Sequence, residues 1–192
     1  MDESRIVNQE FETYAKLAQA FSADLTNAQK VDALAHESVA RLRRGGKILA
    51  VGNGGSCADA MHFCEELTGR YRDDRPSIGA IACTDPGHIT CTGNDYGFDR
   101  VFSRWVEGVG REDDVLVVLS TSGNSANIIH AVEAATRIGM HTAALLGKGG
   151  GKLAGVCDTE WVVPGETSDR IQELHMLVLH ALVGSIERTL HA

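Results

Sequence analysis

Several features are missing from this 192-residue sequence, and each absence narrows its function. No block is dense in lysine and arginine, and the net charge is −8, so nucleic-acid binding, which needs clustered cations, is not expected. No apolar run approaches the length of a membrane span, since Val115–Leu119 is unbroken for only five residues. The amino terminus is polar and acidic, so no signal peptide is expected.

The cysteines also lack the patterns that would give them a structural function. There are five of them, without a Cys-x-x-Cys pair, which argues against a disulfide framework and against a thiolate zinc site. The 43% apolar and 23% charged fractions are those of an ordinary globular protein, and the length corresponds to one domain, 1–192. We therefore expect a single-domain protein of a reducing compartment, the cytoplasm.

What the sequence does contain is a regular alternation of strand-like and helix-like segments. The apolar runs predicted as strands are Lys47–Val51, Ile78–Cys83, Val115–Leu119, Thr142–Leu146 and Glu160–Val163. The helices predicted between them are Cys57–Arg70, about Phe98–Gly108 and Ala126–Ile138. Because strands that are apolar throughout and alternate with helices are typical of a parallel sheet buried on both faces, we expect a three-layer, doubly wound α/β core over 46–192.

Helices without intervening strands are predicted at both ends of the chain. The first 45 residues contain two amphipathic segments, Ser4–Ala23 and Ala28–Arg44, and are predicted to form a helical extension. Ser168–Leu190 is predicted to be a long C-terminal helix, with Ser168 as its N-cap and Asp169 in its first turn.

Two loops at predicted strand ends are candidates for ligand binding. Gly52–Ser56 lacks both the Walker A and the GxGxxG spacing, and its glycines have a purely steric explanation in a tight turn. Ser120–Ser125 carries four hydroxyls around Gly123 and leads into a helix, a combination that favours a phosphomonoester. Since ligands bind beyond the carboxyl ends of parallel strands, we expect both loops at one binding edge.

The candidate chemistry lies on two predicted helices. His62 and Glu66 are four residues apart and share a helix face, while Gln172 and His180 lie two turns apart on one side of the last helix. Two imidazoles, a carboxylate and an amide oxygen can bind a borderline divalent metal. The glutamate and histidine can instead exchange protons with a sugar. The residues alone do not decide between these two hypotheses.

A third polar segment, Asn94–Gly97, follows the apolar run Ile78–Cys83. Its residue types predict a turn. A functional interpretation is also open, in which Asn94 and Asp95 contact sugar hydroxyls.

Taken together, these segments resemble the sugar isomerase (SIS) domain family, and within it the isomerases of a seven-carbon sugar phosphate. The resemblance covers nearly the whole chain in order, through the motifs Gly52–Ser56, Ala60–Arg70, Gly93–Gly97, Ser120–Ser125 and Asp169–His175. It implies a five-stranded parallel sheet of flavodoxin-like order and a homotetramer with active sites near subunit boundaries. It also implies conversion of sedoheptulose 7-phosphate to D-glycero-D-manno-heptose 7-phosphate through an enediol, the first step toward the heptose of lipopolysaccharide or capsule.

The resemblance further implies a role for individual residues. The substrate-binding positions are Asn53, Gly54, Gly55, Asn94, Asp95, Ser120, Thr121, Ser122, Ser125 and Gln172. The zinc ligands are His62, Glu66, Gln172 and His180. Glu66 and His180 also match the catalytic base and acid.

Two other functions are compatible with such a sequence. Some similar proteins are non-enzymatic tetramers that bind the bacterial replication initiator, and they lack the glutamate and the second histidine. The presence of Glu66 and His180 here favours the enzyme. An isomerase or sugar-binding regulator acting on another phosphosugar, such as a pentose or hexosamine phosphate, is the third hypothesis.

Overall fold

The computed structural model describes residues 3–191. The helices are α1 (Glu3–Ala23), α2 (Leu25–Arg43), α3 (Gly55–Thr68), α4 (Pro86–Tyr96), α5 (Val101–Val109), α6 (Ala126–Ile138) and α7 (Ser168–His191). The strands are β1 (Ile48–Gly52), β2 (Ala80–Ala82), β3 (Val115–Ser120), β4 (His141–Leu146) and β5 (Thr159–Val162). Short 3₁₀ turns occur at Phe98–Arg100 and Lys148–Leu153.

The five strands form one parallel sheet in the order β2-β1-β3-β4-β5. This is the flavodoxin-like order of doubly wound α/β folds, so the predicted fold class is confirmed. Every residue of β1 and β3 is buried, because apolar clusters cover both faces of the sheet. Gly52 is paired with Leu119 in the register, so the loops that follow β1 and β3 emerge side by side.

The N-terminal helices differ in how firmly they are attached to the core. Within α2, Lys30 Nζ donates to Glu160 O and Asn27 O accepts from Trp161 Nε1, which fastens this helix to β5. The helix begins three residues earlier than expected because Asp24 caps it, accepting from Thr26 N at 3.0 Å. By contrast, α1 has no buried residue. Among residues 3–191, no helix is both long and apolar enough to cross a membrane.

The prediction of a turn at Asn94–Gly97 is wrong, because Asn94 and Asp95 lie in the last turn of α4. Asp85 starts this helix by accepting from His88 N at 2.6 Å, and Pro86 occupies the first helical position. The helix then continues to Tyr96 and ends at Gly97, whose φ of +85° favours glycine. Of the four residues that suggested a turn, only the glycine interrupts the helix.

On α7, His175 is the polar residue most completely removed from water. Its side chain is fully buried, and within residues 3–191 neither ring nitrogen makes a hydrogen bond of normal geometry. Burial lowers the pKa of His175 to about 4, and the nearby Leu146 carbonyl offsets only part of that effect. The folded protein therefore holds this imidazole neutral at pH values where an unfolded chain binds a proton.

We expect His175 to make stability depend on pH. Its pKa is about 4 in the folded state against an ordinary value of 6.5, so the unfolded chain binds more protons between those values. The contribution of His175 to the free energy of unfolding should therefore be largest above pH 6.5 and lower by about 3 kcal/mol at pH 4. Urea unfolding at a series of pH values tests this by comparison with His175→Leu, because the wild type should lose about 3 kcal/mol more than the variant between pH 6.5 and pH 4. An equally steep decline in the variant would contradict the assignment.

Candidate active site

The glycine loop after β1 lets α7 come close to the start of α3. A Cβ on Gly55 would lie 2.6 Å from Nε2 of Gln172, so the amide of α7 occupies the space that a side chain would need. Gln172 Nε2 donates to Ser56 Oγ at 3.4 Å. The glycine loop therefore lies in contact with both helices that carry the candidate chemistry, and a side chain at position 55 would displace the Gln172 amide from its present place.

The hydroxyl loop after β3, Ser120–Ser125, is held by its own side chains. Ser120 Oγ accepts from Gly123 N at 3.1 Å, and Ser122 Oγ accepts from Asn124 N at 3.2 Å. Each of these hydroxyls keeps its own proton to donate elsewhere. The Ser125 side chain accepts no capping bond from α6. The loop thus presents hydroxyl donors at the amino end of a helix.

An amide pair, which sequence reasoning missed, ties the two loops together. Asn53 Nδ2 donates to Asn127 Oδ1, and Asn127 Nδ2 donates to Asn53 Oδ1, both at 2.9 Å. Asn127 is buried in the first turn of α6. The residue type carries no signal for this role, because an asparagine in a helix gives no indication of a reciprocal partner 74 residues away.

A two-histidine, one-carboxylate group forms between α3 and α7. Glu66 Oε1 lies 3.4 Å from Nε2 of His62 and 3.4 Å from Nε2 of His180. The two imidazoles meet edge to face, with their centroids 5.3 Å apart. The Glu66 side chain is only 9% exposed, whereas those of His62 and His180 are 47% and 37% exposed. The spacing predicted from sequence on each helix therefore brings three of the candidate residues together.

This group has the geometry and the donor set of a metal site. One ligand atom from each of His62, Glu66 and His180 lies within 4.8 Å of the other two. Glu66 Oε2 is buried without a hydrogen-bond partner in the described residues 3–191, so one carboxylate oxygen has an unmet need for a cation or a proton. Two imidazoles and a carboxylate suit a borderline divalent metal. These residues could therefore bind a metal, and a ligand role for Gln172 stays a prediction.

The surroundings of the group include two residues that sequence reasoning did not select. The Tyr71 ring stacks on the imidazole of His180, with centroids 5.8 Å apart and planes 15° from parallel. Burial raises the pKa of the Asp59 carboxyl, one turn before His62, to about 6, although the nearby imidazole acts in the opposite direction. Neither the stacking of Tyr71 nor the raised pKa of Asp59 can be predicted from a sequence motif, because both depend on how α3 packs.

Other predicted substrate residues lie apart from this group. Asn94 and Asp95 are exposed and bond to each other, Asn94 Nδ2 donating to Asp95 Oδ1 at 2.8 Å. Within residues 3–191, neither side chain hydrogen-bonds to the glycine loop or the hydroxyl loop. Thr121 does make a cross-element contact, since its hydroxyl lies 3.3 Å from that of Ser168 at the start of α7.

The α/β fold, the two strand-end loops and the group between α3 and α7 define the class of protein. The family model of the SIS domain matches residues 12–147, and the chain belongs to the SIS domain family. The glycine and hydroxyl loops both lie inside the matched region, and α7 lies beyond it.

Closer relatives narrow the class to one enzyme. A phosphoheptose isomerase from Aeromonas hydrophila is 50% identical over 95% of this chain and 96% of that protein. The solved phosphoheptose isomerase of Neisseria gonorrhoeae has 42% identity and a TM-score of 0.89, covering 96% of this chain and 98% of that one. The enzyme from Francisella tularensis has 37% identity and a TM-score of 0.92, covering 98% and 100%. Within the SIS domain proteins, this chain belongs with the phosphoheptose isomerases by similarity, and the enzyme hypothesis is confirmed.

The hydroxyl loop also packs against the 3₁₀ turn after β4, and we expect a glycine substitution there to be costly. A Cβ on Gly123 would collide with the Gly150 carbonyl oxygen, and the φ of +62° is itself unfavourable for alanine. Gly149 is the matched control, because its φ is +76° but an added Cβ meets nothing within 4 Å. Gly149→Ala should cost about 1 kcal/mol of unfolding free energy and Gly123→Ala at least twice that. Equal losses of unfolding free energy in the two variants, measured by chemical denaturation, would show that the hydroxyl loop does not pack closely against Gly150.

Proposed function

We propose that this chain isomerises sedoheptulose 7-phosphate to D-glycero-D-manno-heptose 7-phosphate, supplying heptose for lipopolysaccharide or capsule. The observation that carries the proposal is the Glu66 carboxylate, flanked by His62 and His180 and left with one buried, unpartnered oxygen. The names of its relatives support the seven-carbon phosphosugar. The exchange needs one base and one proton donor, which this group contains.

In this proposal the phosphate is bound by the hydroxyl loop. Ser120 Oγ and Ser122 Oγ each accept a backbone hydrogen bond, so the hydroxyl proton is the part of each group that would donate to the phosphate, and Thr121 and Ser125 add two further hydroxyls. The amino end of α6 adds favourable electrostatics for an anion. Binding the phosphate at a distance from the reacting carbons orients the sugar through remote binding energy.

The sugar would extend from the phosphate toward the glycine loop and α7. Asn53, Gly54 and Gly55 line that path, and Gln172 lies against Gly55. We assign Asn94 and Asp95 to sugar hydroxyls at a subunit boundary, since both are exposed at the end of α4.

Proton transfer then falls to the group between α3 and α7. We assign Glu66 as the base that removes a proton from C1 and returns it at C2, with a cis-enediol between the two steps. His180 is assigned as the acid that protonates the C2 carbonyl oxygen as the enediol forms, and that accepts the proton of the C1 hydroxyl as the C1 carbonyl forms. Its Nε2 lies 3.4 Å from Oε1 of Glu66, so base and acid are adjacent.

We propose zinc as the metal of this site, held by His62, Glu66, His180 and Gln172. The unpartnered Glu66 oxygen and the two exposed imidazoles fit such a ligand set. When bound, zinc would supply positive charge that stabilises the oxygens of the enediol. Oε1 of Glu66 faces both histidines and is the oxygen that would serve as the ligand.

We further propose that residues 1–192 form one domain and assemble as a homotetramer in the cytoplasm. Large apolar side chains are exposed on α1, among them Ile6, Val7 and Phe11, and a second copy of the chain would cover them. The five cysteines are free, as is typical of a reducing compartment. Mass photometry that showed only monomers at micromolar concentration would contradict the assembly.

Glu66→Gln is the sharpest test of the chemistry. The substitution keeps the size and hydrogen-bonding reach of the side chain but removes the base, so turnover of sedoheptulose 7-phosphate should fall about 10²–10⁴-fold, or roughly 3–5 kcal/mol in barrier height. Glu65→Gln is the matched control, since its side chain is 66% exposed and its Oε1 lies 3.9 Å from Nε2 of His62, against 3.4 Å for Oε1 of the nearly buried Glu66. Comparable turnover in both variants would place the base elsewhere, and an inactive wild type would refute the proposed reaction.

The metal assignment predicts about one zinc ion per purified chain, lost in His62→Ala because one of three clustered ligands disappears. Elemental analysis after extensive dialysis measures this. His36→Ala is the control, because His36 is an exposed residue of α2 outside the group. Equal zinc in the wild type and His62→Ala would leave the group with proton transfer alone.

A further inference from the structure

The last turn of α3 carries Glu66, and its backbone is fixed by the segment that follows it. The final carbonyls of a helix have no partners within the helix, so other groups must satisfy them. Glu65 O accepts from Gly69 N, Thr68 O from Ser77 Oγ, and Leu67 O from Ile78 N. Glu66 O accepts from the guanidinium of Arg75 at 2.6 Å.

Arg75 reaches two helices from one buried position. Its Nη2 donates to Glu66 O and its Nη1 to Leu67 O at 2.7 Å, while its Nε donates to Glu187 Oε1 at 2.7 Å. Its side chain is 2% exposed and that of Glu187 is 11% exposed, so this ion pair is shielded from water. Glu187 lies on α7, seven residues beyond His180.

The pair therefore spans the two helices of the site. Glu66 and His62 belong to α3, and His180 belongs to α7, so the distance between carboxylate and imidazole depends on how these helices are held. Arg75 is bonded to the backbone of Glu66 itself and to the helix of His180. A planar guanidinium fixes such a geometry because its donors are rigidly arranged, which an ammonium group cannot reproduce.

We propose that Arg75, through Glu187, is a positioning residue that sets the separation of Glu66 from His180. Buried ion pairs contribute little net stability compared with apolar residues of similar size, so stability alone does not explain this pair. Arg75 donates to the backbone of Glu66 and to Glu187 on α7, the helix that carries His180. A residue that positions these two helices must make such contacts. This inference rests on the metal site described under the proposed function.

Binding of cobalt(II), followed by its visible absorption, tests the inference without relying on activity. Arg75→Lys keeps the charge but cannot bond Glu66 O, Leu67 O and Glu187 together, so the affinity for cobalt(II) should fall about 10–100-fold. Arg41→Lys is the matched control. Arg41 is also partly buried, with bonds to Glu37 and the Glu112 carbonyl, and among the residues that the structure describes its side chain has no bond to α3 or α7.

A double variant, Arg75→Met with Glu187→Met, separates positioning from stability. Replacing a buried ion pair by apolar residues of similar volume is often neutral for stability, so this variant should stay folded and still bind cobalt(II) more weakly. It also decides the question if Arg75→Lys does not fold. Wild-type cobalt affinity in the double variant, or an equal loss in Arg41→Lys, would overturn the proposal.

Turnover of sedoheptulose 7-phosphate by the wild type is measured in parallel. Cobalt binding without turnover would refute the proposed reaction, while the difference in affinity between Arg75→Lys and Arg41→Lys would still decide the role of Arg75. A wild type that binds no cobalt(II) would overturn the positioning proposal together with the metal site.

Discussion

The close approach of α7 to α3 is the constraint on which the site depends. These helices are far apart in the sequence. They pack together on one face of the sheet, and the side chains between them set how closely they approach. At one end Gly55 leaves room for the Gln172 amide. At the other, the Glu66 carboxylate faces His180. The sheet supports this arrangement, because its buried strands fix where α3 begins and where both strand-end loops emerge.

Much of this architecture is predictable because it follows from local patterns. Buried parallel strands are continuous apolar runs, and the i, i+4 spacing of His62 and Glu66 places both on one helix face. Spacing cannot distinguish two histidines on a single helix, however. His175 and His180 both lie in an apolar stretch of α7, yet the first is fully buried and the second forms part of the site. Only the packing of α7 against the sheet determines which of the two histidines faces Glu66.

The residues that sequence reasoning missed share a physical character. Arg75, Asn127 and Tyr71 act through partners far away in the chain, and none of them has a motif. The turn predicted at Asn94–Gly97 failed for a related reason. Local residue types suggested a turn, but the cap at Asp85 and the proline after it established a helix first. Tertiary contacts and helix initiation override such local preferences.

The exposure of the His62 and His180 imidazoles gives a chemical reason for the proposed homotetramer. In a single chain, His62 and His180 are about half and a third exposed, while Glu66 between them is nearly buried. Water weakens electrostatic interactions among such groups, and its removal strengthens both metal binding and proton transfer. A second subunit that covered the His62 and His180 imidazoles would therefore strengthen their interactions with Glu66 as well as bury apolar surface. In the proposed homotetramer, the exposed residues at the end of α4 and the half-open group between α3 and α7 would be two parts of one site that association completes.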